Sequence, residues 1–401
     1  MRLLADRPIK DYCLGIYDGP HATPKESDEG PIFLGIKNIT SDGRLDFSEI
    51  RHVSENEFPK WTRRVTPEPG DLAFTYEATL HRYAIIPEGF RGCLGRRVAL
   101  VRPNPSMADS RYLLYFFLSH AWRKVIEGNV ISGATVDRIP LERFPDFPAA
   151  LPPLHVQHEV ASILSGYDDL IENNRRRMAL LEESARLLYR EWFVRLRFPG
   201  HEHTRVIDGV PEGWERKSLG EVARLNETSL GGTFDGEIEY IDIASVTRNS
   251  VNETTRYEFR DAPSRARRVV RHGDIIWSCV RPNRRSHAVI WQPPENLVAS
   301  TGFAVISPTS VPTSFLYQAV STDLFVGYLE NHAKGAAYPA VVAGDFQRAE
   351  VVVPSSPLLA AFNDFAEPLL SETHNLQLQN QKLRVARDLL LPRLMSGEIA
   401  V

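Results

Sequence analysis

Cysteine is nearly absent from this chain. Cys13, Cys93 and Cys279 are odd in number and none belongs to a C-x-x-C pair, so neither a disulfide framework nor a structural zinc site is expected. Long apolar runs are missing too: none reaches the roughly 18 residues that a membrane helix needs. The opening Met1-Arg-Leu-Leu-Ala-Asp-Arg7 turns charged too early for the apolar core of a signal peptide. The expectation is a cytoplasmic chain with no membrane association. Nor is positive charge in excess. Lys and Arg number 47 against 51 Asp and Glu, for a net charge of −4. That balance argues against nonspecific coating of DNA, but it leaves room for local basic faces, because phosphates respond to the nearby field.

The common signatures of catalysis are missing as well. No Gly-x-x-x-x-Gly-Lys-Ser/Thr loop, Gly-x-Gly-x-x-Gly turn or Gly-x-Ser-x-Gly elbow occurs. Neither does an Asn/Asp-Pro-Pro-aromatic stretch of the kind that grips a flipped base in amino-methyltransferases. His155 and His158, three apart, suit a solvated first helical turn better than a metal. The same holds for His201 and His203 in a breaker-rich segment. The paired acids Asp168-Asp169 and Glu182-Glu183 fall on a long helical pattern, where solvated flanks are the simpler reading. No metal or catalytic residue is assigned, and no cofactor is expected on this chain.

What is present is a repeat. Hydrophobic residues make up 43% and charged ones 24% of 401 residues, an ordinary globular balance, and the length suits two or three domains. Phe33-Leu-Gly-Ile-Lys-Asn-Ile-Thr40 precedes Gly70-Asp-Leu-Ala-Phe-Thr75, and Tyr240-Ile-Asp-Ile-Ala-Ser-Val-Thr247 precedes Gly273-Asp-Ile-Ile-Trp-Ser278. Each half then carries a Gly-Ala pair (Gly133-Ala134, Gly335-Ala336), a Pro-rich stretch and a long helical segment. Short branched or aromatic runs such as Val98–Val101 and Phe303–Ile306, bounded by Gly, Pro and Asn, read as strands. Short helices are expected at Arg111–Glu127 and Ser314–Asn331.

The spacing therefore predicts an α+β chain with a pseudo-two-fold internal repeat. A first β-rich domain covers 1–152, a first long helix 153–199, a second β-rich domain 200–354 and a second long helix 355–401. The first helix bears Val160, Leu164, Tyr167, Ile171, Asn174, Met178, Leu181, Ala185, Leu188 and Trp192 at alternating spacings of four and three, a heptad seam. The second repeats every seven residues through Phe362, Leu369, Leu376, Leu383 and Leu390. Phe365 and Ala386 stand on the same side, Glu372 and Gln379 are weaker members, and Pro392 closes the run. Matching length and pattern predict that the two helices pair with each other, antiparallel, as a spacer; pairing between two chains is the alternative.

Between Arg256 and Arg285, nine arginines oppose three acids. Arginine forks suit phosphates and guanine edges. The segment Arg281-Pro-Asn-Arg-Arg-Ser-His287 reads as an exposed loop after a strand, so Ser278, Arg281, Asn283, Arg284, Arg285 and His287, with Arg267 and Arg268, are candidate DNA contacts. A basic solvated surface or an RNA contact is the competing reading. In the first half, His21, Lys25, Tyr76, His81 and Arg82 are the candidates, since Tyr76 to Arg82 follows its Gly-Asp strand as Arg281 to His287 follows the other. Arg63-Arg64 and Arg96-Arg97 add to that basic face.

The sequence resembles the DNA-specificity subunit of type I restriction–modification systems. The resemblance rests on the repeat and on Gly133-Ala-Thr…Leu151-Pro-Pro-Leu-His-Val-Gln157, Ile163-Leu-Ser-Gly-Tyr-Asp-Asp-Leu-Ile-Glu-Asn-Asn-Arg175, Pro211-Glu-Gly-Trp-Glu-Arg-Lys-Ser-Leu-Gly-Glu221, Ser300-Thr-Gly-Phe303 and Leu391-Pro-Arg-Leu-Met-Ser-Gly-Glu-Ile399. The first half lacks the Pro-x-Gly-Trp opening and begins at Lys10-Asp-Tyr-Cys-Leu-Gly15. The resemblance implies a non-catalytic subunit whose two target-recognition domains each read half of a split double-stranded DNA site. Its helices would dock two methyltransferase subunits, joined by restriction subunits. S-adenosylmethionine, ATP and Mg would belong to those partners. An unrecognised DNA-modifying enzyme and a coiled-coil scaffold that never touches nucleic acid are the rival readings.

Overall fold

All four residues of the strand Leu72–Thr75 are buried, because a layer covers each side of it. The structure, a computed structural model, describes residues 6–133, 136–335 and 338–401. Ala134 and Ala336 of the two Gly-Ala pairs, Thr135 and the first five residues lie outside the described residues. Contacts group the chain into two units, one of Met1–Glu172 with Asn380–Val401, the other of Asn173–Gln379.

The strands of the first unit are β1 (Arg7–Pro8), β2 (Cys13–Asp18), β3 (Ser27–Leu34), β4 (Arg51–His52), β5 (Leu72–Thr75), β6 (Tyr83–Ile85), β7 (Gly92–Leu94), β8 (Val98–Pro103) and β9 (Pro148–Ala149). They form a four-stranded sheet of order β2-β8-β5-β6, a three-stranded sheet β4-β3-β7 and the pair β1-β9. Helices α1 (Phe58–Trp61), α2 (Ser110–Leu118) and α3 (His120–Glu127) complete the lobe. Side chains alternate along β5. Leu72 and Phe74 meet Tyr112, Phe117 and Trp122 of the helices, while Ala73 faces Leu34 and Leu94 of the other sheet. The run expected at Arg111–Glu127 is two helices, because Ser119 accepts the Trp122 amide and starts a new one.

Next comes α4 (Leu154–Tyr189), which begins just after Pro152-Pro153 and ends in a π-turn at Arg190–Val194.

The second unit repeats the first. Its elements are β10 (Val206–Ile207), β11 (Val210–Pro211), β12 (Glu215–Ser218), α5 (Leu219–Val222), β13 (Ala223–Leu225), β14 (Glu237–Ile241), β15 (Val246–Thr247), β16 (Ser250–Val251), β17 (Thr255–Glu258), β18 (Ala266–Val269), β19 (Ile275–Ser278), β20 (His287–Val289), β21 (Leu297–Ser300), β22 (Phe303–Pro308), α6 (Thr313–Ala319), α7 (Asp323–His332), α8 (Ala343–Arg348) and β23 (Glu350–Val353). The sheet β13-β22-β19-β20 matches β2-β8-β5-β6 strand for strand, and β17-β14-β21-β18 matches β4-β3-β7 with one strand added. The parallel pair β3·β7 recurs as β14·β21. The opening pair is shorter in the first unit, two residues in β1·β9 against four in β12·β23. The Gly-Asp motif is a turn device in both halves. Gly70 and Gly273 take φ of +89° and +86°, and the Asp71 and Asp274 carboxylates accept the amides of Glu68 and Arg271 at 2.8 and 2.7 Å.

The last helix, α9, spans Ser356–Met395. Pro392 does not close it. A proline near a helix end removes only one backbone bond, and Gly397, at φ +68°, closes the last turn instead. The two long helices run antiparallel within each unit. In the first, Asp168 pairs with Arg387 and Asn380 Nδ2 donates to the Ile171 carbonyl; in the second, Asn174 Nδ2 donates to Gln379 Oε1 and Arg177 pairs with Glu372. The seam on α4 is the expected one: Leu164, Ile171 and Asn174 are buried, and Met178, Leu181 and Leu188 half-buried. On α9, Leu376 is buried and Leu369, Leu383 and Leu390 half-buried, but the companion column is Ala366, Thr373, Asn380, Arg387 and Leu394. Phe365 is 44% exposed. The column expected through Phe365, Glu372, Gln379 and Ala386 is thus off by one residue, because the polar members Asn380 and Arg387 find partners across the helix pair.

Candidate nucleic-acid interface

In each unit an inner strand of the four-stranded sheet is joined to the edge strand beside it by an irregular hairpin loop, 76–82 between β5 and β6 and 279–286 between β19 and β20. The chain leaves the ordinary backbone regions twice in each. Ala78 and His81 have φ of +69° and +61°, and Arg281 and Arg285 of +51° and +53°. Such residues cost of order 1–3 kcal/mol each and persist only when their surroundings impose them. A second loop holds the first of each pair, Ala78 and Arg281. In the second unit the Arg281 amide donates to the Pro339 carbonyl at 2.7 Å and the Val341 amide to Cys279 at 2.9 Å. In the first, the Ala78 amide donates to Asp137 at 3.1 Å and the Ile139 amide to Tyr76 at 2.7 Å. Each hairpin is laced to the loop that follows its unit's Gly-Ala pair.

The tip of the second hairpin is the turn Pro282–Arg284. Asn283 and Arg284 are exposed, and Arg281 and Arg285 half-buried. The Arg281 guanidinium lies 4.5 Å over the ring of Tyr338, itself 69% exposed. Arg285 pairs with Asp323 at the start of α7, and that contact holds the Asp323 carboxyl below its ordinary range. Tyr338 carries no signal in the sequence that marks it. It follows the second Gly-Ala pair, which reads in the sequence as a repeat marker.

Two of the expected contacts are corrected. Ser278 ends β19 facing inward, 1% exposed, with its hydroxyl donating to the Val280 carbonyl. His287 is fully buried, stacked on Trp277 at 5.3 Å and edge-on to Tyr317 at 5.6 Å. Burial, then Arg248 and Arg285, push its pKa down to about 3 from 6.5. It is a neutral core ring. Because the folded state refuses a proton that the unfolded chain accepts, this group's contribution is complete above about 6.5 and lost as pH falls toward about 3, at up to about 1.4 kcal/mol per pH unit. His287→Phe is expected to flatten the acid limb of the stability curve; denaturation midpoints compared at neutral and acid pH check this, and equal slopes for both proteins contradict it.

Arg267 and Arg268 lie on β18, an edge strand of the other sheet. Arg267 caps the Phe259 ring at 4.3 Å, and Arg268 donates to the Ser229 hydroxyl. The arginine-rich segment is further divided by its own ion pairs: Arg256 with Glu239, Arg260 with Asp261, Arg271 with Glu227. It is not one patch.

In the first unit His21 and Lys25 are exposed, with His21 Nε2 on Asp18 at 3.0 Å. Tyr76 is corrected to a core residue, 5% exposed, its hydroxyl 3.4 Å from His21 Nδ1. Arg82 is spent on the carbonyls of Ile36 and Ile39. His81 is half-buried, and burial, then Arg123, lowers its pKa. A cleft of about 550 Å³ near this hairpin gathers Lys37, Arg51, Arg96 and Arg97 with Glu26 and Glu49. Lys37 and Arg51 come from distant segments, so no local sequence signal marks them.

Among the described residues no group of three or more His, Cys, Asp or Glu side chains is placed to hold a metal, and no helix is long and apolar enough to cross a membrane.

Residues 32–183 match the family described as type I restriction modification DNA specificity domain. The type I restriction enzyme MjaIX specificity subunit of Methanocaldococcus jannaschii is 23% identical over 98% of this chain and 89% of its own length. The type I restriction enzyme HindI specificity subunit of Haemophilus influenzae is 21% identical over 75% of this chain and 80% of its own. A crystal structure of the type I restriction–modification S subunit from M. genitalium, 16% identical, shares the fold with a TM-score of 0.52 over 97% of this chain and 95% of that one.

Proposed function

We propose that this chain, which belongs to the type I restriction–modification specificity subunits and recognises DNA sequence, reads a split target, one half-site per unit, for active sites carried by other subunits. The duplicated hairpin carries this reading. The same irregular loop, laced to the same second loop, projects from the same pair of strands in both units. A reader built twice suits two short half-sites with unread base pairs between them. In the second unit the side chains offered to base edges and phosphates are Arg281, Asn283, Arg284 and Tyr338; in the first they are His21, Lys25, Arg96 and the residues of the adjoining cleft. Two linked readers gain from effective concentration, so either alone binds more weakly.

The helices serve as spacer and docking surface. Their seam is used internally, so docking falls to the apolar residues left outside it. On α4 and its π-turn, Leu180, Leu187 and Val194 stand seven apart, 67%, 37% and 49% exposed, in the second unit; Ile163 and Leu170 do the same in the first, at 40% and 52%. Such stripes suit a partner helix or sheet. Methyltransferase subunits are the partners of this reading, with restriction subunits beside them. S-adenosylmethionine, ATP and Mg belong to those subunits.

Removing one heptad from both α4 and α9 is expected to change the gap between half-sites while leaving their sequences alone. Seven residues are about 10 Å of helix, or about three base pairs. Selection from a randomised duplex pool, with the methyltransferase present, reads both quantities; altered half-site sequences at an unaltered gap contradict the division of labour.

A further inference from the structure

We propose that Asn249 is a positioning residue that ties the reading hairpin of the second unit to helix α4. This rests on the reading above, in which that hairpin contacts DNA. Asn249 forms the turn between β15 and β16 at φ +63°, and every polar group it has but its own carbonyl is directed to a different element. Its Nδ2 donates to Glu182 Oε2 on α4 at 2.9 Å. Its Oδ1 accepts from the Tyr317 hydroxyl on α6 at 2.7 Å. Its amide donates to the carbonyl of His287, the first residue of β20, at 2.8 Å. His287 lies two residues past Arg285, on the strand that returns from the hairpin tip, and its ring is clamped between Trp277 and Tyr317.

The chemistry selects asparagine. The side chain must donate to a carboxylate and accept from a phenol at once, on a left-handed backbone that asparagine tolerates better than most. Aspartate would set a second carboxylate against Glu182. Glutamate 182 is itself costly: burial pushes its carboxyl up, and the Asn249 bond and Arg248 pull it back. Its return for that cost is the tie. The tie borders open space. A cleft of about 350 Å³ lies beside it, lined by Glu182, Arg248, Tyr317, Leu369 and Leu370. In the first unit the polar tie to α4 starts elsewhere: Tyr115 of α2 donates to Asp168, which also takes Arg387. Only the second half-site should feel Asn249.

The test uses the full chain with its methyltransferase and a randomised duplex pool. Asn249→Gly keeps the backbone conformation and removes only the carboxamide; Asn249→Ala adds backbone strain. For Asn249→Gly the selectivity at the second half-site is expected to fall about tenfold, the worth of one hydrogen bond to a charged group. The range of accepted gaps widens, and the first half-site and the denaturation midpoint stay near wild type. Glu182→Ala should reproduce this, and Glu182→Gln, which still offers an oxygen to Asn249 but without the charge, should fall between wild type and Glu182→Ala. An Asn249→Gly protein that selects the same half-sites at the same gap overturns the proposal, as does Glu182→Gln behaving like Glu182→Ala. If the wild-type chain itself selects no split motif, the reading of the hairpin fails, and this inference with it.

Discussion

Arg284→Ala is expected to weaken binding to the half-site that the proposed reading gives to the second unit by about 1–3 kcal/mol, about 5- to 150-fold, and to leave the other half-site unchanged. The expectation follows from where the side chain stands. Arg284 sits at the tip of the 279–286 loop, exposed, and its guanidinium makes no hydrogen bond or ion pair among the described residues. A bidentate contact to a guanine edge carries that much discrimination against the wrong base. Two controls sharpen it. Arg285→Ala acts mainly by releasing Asp323, so its effect should be smaller and less specific to sequence. Arg267→Ala, on the edge of the other sheet with its charge over Phe259, should leave base preference alone. Competition binding with duplexes altered one base at a time separates these cases. An Arg284→Ala protein with wild-type affinity and preference removes this tip from the interface.

The largest effect on stability is expected from Phe362→Ala, at about 3–5 kcal/mol. Phe362 is fully buried where the last turns of α4, helix α6 and the first turns of α9 converge. Its ring lies 5.2 Å from Phe193, 6.0 Å from Tyr189, 6.3 Å from Trp192 and 6.5 Å from Phe315. Truncation opens a cavity among rigid rings that cannot collapse to fill it. Phe362→Leu, which keeps most of the volume, should cost far less. Equilibrium denaturation of the full chain measures both, and a loss below about 1 kcal/mol for the alanine variant means the second unit does not depend on this cluster.

The repeat, the long helices and the central strands were legible in the sequence because each is a periodic signal: apolar spacing, a Gly-Asp turn, a heptad. What was not legible depends on partners far away in the chain. The companion column of the α9 seam lies one residue from where the sequence puts it, because hydrophobicity sees Leu369, Leu376, Leu383 and Leu390 but not Asn380 and Arg387, which meet Ile171 and Asp168 on the other helix. Ser278 and His287 flank a polar loop and were read as part of it. Which way a strand-end residue points is set by sheet register, and a one-residue shift exchanges core for surface. The arginine-rich segment reads as a single basic patch because two of the acids that divide it, Glu227 and Glu239, lie outside the segment.

Methylation-sensitive sequencing of a host carrying this chain together with the methyltransferase proposed as its partner tests the account most directly. The account predicts methylated bases within one motif made of two short defined blocks separated by a gap of fixed length and no base preference, lost when this chain is removed. A single uninterrupted motif, or the same methylation pattern without this chain, would contradict it.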